Sequence, residues 1–194
     1  MTLKIRSYRA EDEEEWLKCH MLVYLDASGG ELLKEKTKYE GESIELVATI
    51  DDKIVGFLDI ELESSTIEIC HKKAEGNGML WDIGIMKEHR SQRIGTRLLE
   101  EGIKRARKYG LRRLEAWTIE EDAKKFYETF GFKKFYEYHH VSINKREKLR
   151  PIDKDGIHIT YVYAHVMPDT DINTIIEKYD PEKVHVCTEF ENTV

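Results

Sequence analysis

Polar and apolar positions change their period several times along the chain, and each change marks an element. Leu3, Ile5 and Ser7 alternate with charged neighbours, which predicts a first strand. Residues 10–25 then read as a helix, with acids in an opening turn where they complement the helix dipole. Trp16, His20 and Val23 fall on the face that would meet the core. A Gly-rich charged linker, residues 28–43, follows, with room for a second short helix. I-E-L-V-A-T-I and I-V-G-F-L-D-I-E-L-E, joined by Asp51, Asp52 and Lys53, predict an antiparallel hairpin. Residues 64–78 are less regular, although T-I-E-I-C-H offers an extension of the strand.

Met79–Ile85 is an apolar run of strand length, and after a short charged loop the spacing becomes helical at Ile94, Leu98, Leu99, Ile103 and Ala106. Gly110 is a natural stop. L-R-R-L-E-A-W-T returns as a strand, and A-K-K-F-Y-E-T-F-G-F reads as a helix that ends at glycine. Residues 132–143 and 157–166 predict two more strands separated by a charged connection. The tail reads as a short helix capped near Asp169 or Asp171, a turn at Pro181 and a last strand. It is open to three roles: completing the sheet, covering a pocket, or pairing two copies in a homodimer.

Composition narrows the class. The 194 residues are 40% hydrophobic and 36% charged, as in a globular protein with a substantial core. The first residues lack the apolar core of a signal peptide and no apolar run reaches membrane-span length, so a cytoplasmic location and no membrane partner are expected. Cys19, Cys70 and Cys187 are odd in number and far apart, which predicts inert thiols rather than disulfides or zinc ligands. A net charge of −7 argues against nucleic acid. His139, His140, His158 and His165 lack metal-ligand spacing, and alternation along a strand sends neighbours to opposite faces, so no metal is expected.

The strand, loop and helix start at residues 79–99 form a candidate anion site. A helix's first turn presents free N–H groups, and Arg90, Arg93 and Arg97 lie close in sequence. A helix terminus contributes only ~0.3–1 kcal/mol to an exposed anion, so the arginines must share the task. Gly84, inside the strand, marks a bulge or a close approach to the backbone.

Residues 85–95, I-M-K-E-H-R-S-Q-R-I-G, resemble the acetyl-coenzyme A signature of the GNAT family of N-acetyltransferases; Arg90 and Gly95 match it. Arg93 stands where the family usually has its first glycine, and Lys87 where it often has proline. Ala123, Phe126, Tyr127, Gly131 and Phe132 look like the family's second hallmark, with Glu120 in place of a common asparagine. The resemblance covers roughly residues 3–143 and implies an α+β fold. Its central sheet would be mixed, mostly antiparallel and flanked by helices, in a domain of residues 1–143; the resemblance does not account for the additional C-terminal helix-strand segment, residues 144–194, which is expected to pack on the same domain.

The same resemblance implies acetyl-CoA as co-substrate, bound by Ile83, Ile85, Arg90, Gln92, Arg93, Ile94, Gly95 and Thr96. It also implies Tyr127 as proton donor to the coenzyme sulfur. A lysine-like amine is neutral at pH 7 in only about one molecule in 2,500, a handicap of ~4.6 kcal/mol, so a base is needed. Asp82 is the first candidate, with Glu115 and Glu120 as alternatives. The expected activity is transfer of an acetyl group to a primary amine of a small molecule or peptide by direct attack. The rival reading is a coenzyme A-binding module without catalysis.

Overall fold

The hairpin between residues 43 and 62 closes through Asp51 and Asp52, both left-handed, at φ 49° and 63°. Two positive φ values match the twist of the flanking strands, and aspartate tolerates them better than most residues. A computed structural model describes residues 2–25, 27, 33–143 and 162–194. The elements are β1 (Leu3–Ser7), α1 (Glu13–Tyr24), β2 (Ser43–Ile50), β3 (Lys53–Leu62), β4 (Asn77–Ile85), α2 (Ile94–Ala106), β5 (Arg113–Thr118), α3 (Glu121–Phe130), β6 (Lys133–Ile143), β7 (Val162–Val166), α4 (Ile172–Tyr179) and β8 (Lys183–Thr193). Gly110 and Gly131, at φ 92° and 108°, supply the left-handed residues after α2 and α3.

All eight strands among the described residues join one sheet in the order β1-β2-β3-β4-β5-β8-β6-β7. Every described pairing is antiparallel except β4 with β5. The tail therefore completes the sheet: β8 lies between β5 and β6, and α4 packs Ile172, Ile175 and Tyr179 over Val141, Ile143 and Val166. Asp171 caps α4, its carboxylate accepting from the Asn173 N–H.

Alternation sorts the core onto two faces. Leu46, Ala48, Leu58, Ile60, Leu80, Leu114 and Phe190 meet α2 and α3 on one side. Val47, Ile54 and Phe57 meet Trp16, Cys19 and Val23 of α1 on the other. Gly102 lets α2 approach closely, since a Cβ there would lie 2.8 Å from Leu58 Cδ2.

Two expectations change, and a third is decided between its alternatives. T-I-E-I-C-H does not extend β3; residues 64–69 hold one isolated bridge, Ser64 with Ile67, and the Glu63 carboxylate accepts from the Ile69 and Cys70 N–H groups instead. Residues 33–42 carry no helix, and residues 28–32 of the linker lie outside the described residues. The bulge in β4 sits at Trp81, because Asp59 faces Asp82 while Ile60 faces Leu80. Gly84 serves close packing: an added Cβ would lie 2.4 Å from Phe57 Cζ and 2.8 Å from Val23 Cγ1. The charged connection and His158 lie outside the described residues.

Candidate active site

The sheet forks at its middle. β4 and β5 pair only at Asn77 with Arg113, Gly78 with Leu114 and Met79 with Glu115; beyond these, each follows its other neighbour. The Met86 N–H donates to Val55 O at 2.9 Å, so Met86 directs its backbone groups toward β3. Alternation along the strand then turns those of Ile83 and Ile85 toward the fork. Arg90 Nε donates to Ile85 O at 3.0 Å, which occupies that carbonyl and leaves the Ile85 N–H directed at the opening.

At the open end of the fork the loop after β4 turns into α2. Ser91 and Arg93 are both left-handed, with φ 61° and 59°. Arg93 is the N-cap residue of α2 and its side chain makes no capping bond, so the first-turn N–H groups at Ile94, Gly95 and Thr96 are not closed off by it. Gln92 Nε2 donates to Glu88 O at 3.4 Å, bracing the loop internally. A Cβ on Gly95 would meet Phe126 of α3 and Ile85 at ordinary contact distance, 3.6 and 3.7 Å. This combination of an open strand edge and an uncapped helix start suits an extended molecule with amide groups at one end and phosphates at the other.

Asp82 and Tyr127 reach the fork from opposite faces. Asp82 lies on the face of α1, half-buried, and accepts a short hydrogen bond from the Tyr24 hydroxyl. Burial raises its carboxyl above the ordinary aspartate range, opposed by that hydrogen bond and by the Lys36 charge. Tyr127 of α3 is buried among Phe126, Phe132 and Phe190. Burial, and then the Asp82 charge, raise its phenol, which keeps its proton through the neutral range.

Asp82 lines a cavity of about 320 Å³ with Tyr39, Glu40, Glu61 and Trp81. The Trp81 bulge directs its indole N–H at Glu61 Oε2, 2.8 Å away. Beneath this cavity lies a cluster that the sequence reading missed. Asp59 is 1% exposed, and its Oδ2 accepts from Lys36 Nζ at 2.8 Å and the Tyr39 hydroxyl at 3.1 Å. Lys36, itself buried, also pairs with Glu45 Oε2 at 2.7 Å and lies over the rings of Tyr8, Trp16 and Tyr39. Burial pushes the Asp59 carboxyl up to about 7 against the pull of Lys36. An acid in the otherwise apolar I-V-G-F-L-D-I was the available signal.

Glu115 is buried and accepts from the His71 and Lys72 N–H groups at 2.7 and 3.0 Å beside the Arg113 guanidinium. Glu120 is the N-cap residue of α3. Of the histidines, His140 faces both His165 and His185 across adjacent strands, its ring 4.6 Å from that of His165; alternation within one strand did not reveal this alignment. Among the described residues no group of three or more His, Cys, Asp or Glu is arranged to hold a metal.

A forked, mostly antiparallel sheet with an uncapped helix start at its opening defines a class of proteins built around an extended, phosphate-bearing ligand. Residues 5–132 match the acetyltransferase (GNAT) family, well over half of the sequence, and the chain belongs to that family. A GNAT-family acetyltransferase from Streptococcus pneumoniae is similar at 19% identity, with all of both chains covered and a TM-score of 0.64. The PaiA N-acetyltransferase of Thermoplasma acidophilum, solved in complex with coenzyme A, is 14% identical over all of both chains at a TM-score of 0.59. A GNAT-family acetyltransferase from Elizabethkingia anophelis with acetyl-CoA bound is 15% identical, covering 99% of this chain and 98% of that one, at a TM-score of 0.56. A comparison with curated protein sequences finds no match.

Proposed function

We propose that the protein transfers an acetyl group from acetyl-CoA to a primary amine of a small molecule or peptide by direct attack. The observation that carries this reading is the juxtaposition, at one fork in the sheet, of an open β4 edge, the uncapped start of α2, and Asp82 and Tyr127 on opposite sides. Acetyl-CoA, when bound, supplies an acyl group activated as a thioester. The Ile83 backbone groups would hold its amide arm, and the Ile85 N–H its thioester carbonyl. The N–H groups at Ile94, Gly95 and Thr96, with the loop residues Arg90, Gln92 and Arg93, would hold its diphosphate.

The chain's own groups then divide the work. Asp82 takes a proton from the incoming ammonium, and a carboxyl raised toward neutrality suits that task better than an ordinary one. The Ile85 N–H, fixed in the strand, donates to oxygen as negative charge develops there. Tyr127 gives its proton to the departing sulfur; a thiolate near pKa 8.5 is basic enough to keep a proton delivered to it at neutral pH. Carboxylates and rings around the cavity favour a cationic acceptor. The free cysteines, two of them buried, agree with a reducing cytoplasmic setting, which we assign on that basis.

Release of free thiol from acetyl-CoA, measured against a panel of diamines, amino acids, aminoglycosides and peptide N-termini, tests the proposal. Thiol release that depends on one amine class supports it. Tight coenzyme A binding with no turnover across the panel establishes the non-catalytic module instead.

A further inference from the structure

Glu45, Asp59 and Asp82 stand in register on three adjacent strands, with Asp59 in the middle of the row. Residues directly opposite in a sheet share a face, so the three carboxylates lie side by side. Among the described residues only one cation, Lys36, bonds within the row, between Glu45 and Asp59. One Asp59 oxygen, Oδ2, takes both of that residue's bonds; Oδ1 is buried without a partner among the described residues. A buried carboxylate oxygen left without a donor is costly when ionised and comfortable when it carries a proton. Asp59 lies below the cavity rather than in its wall, so its influence on an acceptor passes through Asp82.

We propose that Asp59 is a positioning residue for the proton-accepting step: it and Asp82 act as one unit that shares a single proton, Asp59 setting how strongly Asp82 binds it. The proposal rests on Asp82 being the base. When Asp82 accepts the proton of an ammonium, the N–H bond breaks and an O–H bond forms on the carboxylate. That proton then passes within the pair, the Asp82 O–H bond breaking as one forms at Asp59 Oδ1, and Asp82 is ionised again. Lys36 and Tyr39 stabilise the ionised form of Asp59 from the other side, so the pair returns its proton to solvent when product leaves. The surroundings hold few rivals for that proton. Toward this row face Glu45 from β2, Glu61 from β3, Lys36 and Tyr39 from the preceding segment, Tyr8 from the end of β1, and His20 and Tyr24 from α1. His20, stacked on Trp16 and Phe57, is neutral there, burial and Lys36 holding it down to about 4.

Carboxyl 13C NMR on the full chain, with and without D82N, tests the coupling directly. Groups that share a proton titrate as a pair, so the Asp59 midpoint should fall by about one pH unit or more when residue 82 loses its charge. An Asp59 midpoint unmoved by D82N overturns the proposal. The pH profile of kcat/KM supplies the functional arm. D59N leaves Lys36 paired with Glu45, and the milder Y39F removes only one donor to Asp59. Both make Asp59 neutral over a wider range, lower the proton affinity of Asp82, and should move the acidic limb to lower pH with coenzyme A affinity unchanged. An unmoved limb in both variants, with folding confirmed by thermal melts, also overturns it. A wild-type rate and profile in D82N would instead remove Asp82 as base, and the NMR arm would still decide whether the two carboxylates are coupled.

Discussion

Arg93 holds φ at 59° in a position where glycine would be unstrained. A left-handed conformation costs a side chain ~1–2 kcal/mol, and a charge-assisted bond to phosphate returns ~1.5–3 kcal/mol. Arg93→Gly should therefore raise the melting temperature of the free protein while weakening coenzyme A by about tenfold, the equivalent of ~1.4 kcal/mol. Thermal melts and calorimetric titration of the same variant read the two effects, and a variant that binds coenzyme A as tightly as the parent takes Arg93 out of the site. If Asp82 and Tyr127 act as proposed, Asp82→Asn and Tyr127→Phe should each lower kcat by ~10²–10⁴. Steady-state rates at saturating acetyl-CoA decide it. Arg93, Asp82 and Tyr127 were legible because each stands at a fixed offset in a local motif. Tyr24, Lys36, Tyr39 and Asp59 were not, because separate stretches of chain bring them together and no spacing in the sequence encodes that meeting.

At the scale of elements, α2 and α3 were readable from spacing and their glycine stops, and the β2-β3 hairpin from its two aspartates. The position of the β4 bulge was not. It depends on register against β3, and of the two roles open to Gly84, a bulge or a close approach, the ring of Phe57 selects the second. Gly84→Ala should accordingly destabilise the fold by ~1–3 kcal/mol, since a well-packed core resists an added carbon. Urea titration measures it, and a midpoint equal to the parent's would show that Phe57 and Val23 give way freely. The bulge also has a role of its own: it turns Trp81 to Glu61 while keeping Asp82 aligned with Asp59.

For the whole molecule, stability should fall as the medium is acidified. Burial lowers both His20 and His140 to about 4, so below the ordinary histidine range near 6.5 the unfolded chain takes up protons that the folded one refuses. Their contribution is complete above pH 6.5 and is lost progressively down to about 4. Asp59, raised to about 7, has the opposite sign: its contribution is complete below the unfolded aspartate value and is lost as pH rises through 7. Asp82, also raised by burial, acts in the same sense as Asp59, while Asp12, Glu63, Glu137 and Glu191, held low by their hydrogen bonds, add to the histidines' loss on the acid side. Denaturant midpoints at pH 7 and pH 4.5 should differ in that direction, and D59N should widen the difference; equal midpoints would mean that both histidines are charged in the fold.

The strand order carries one more consequence. Because β8 is threaded between β5 and β6, its contacts with β5 join residues separated by some 70 to 80 positions, as in Arg113 with Thr193 and Thr118 with Thr188. On a translating ribosome, everything up to α4 can emerge while half of the sheet still has an empty slot at its centre. Nascent protein must wait for residues 183–193 before that half can close, and until then two bare edges face the crowded cell, a natural point for chaperone capture.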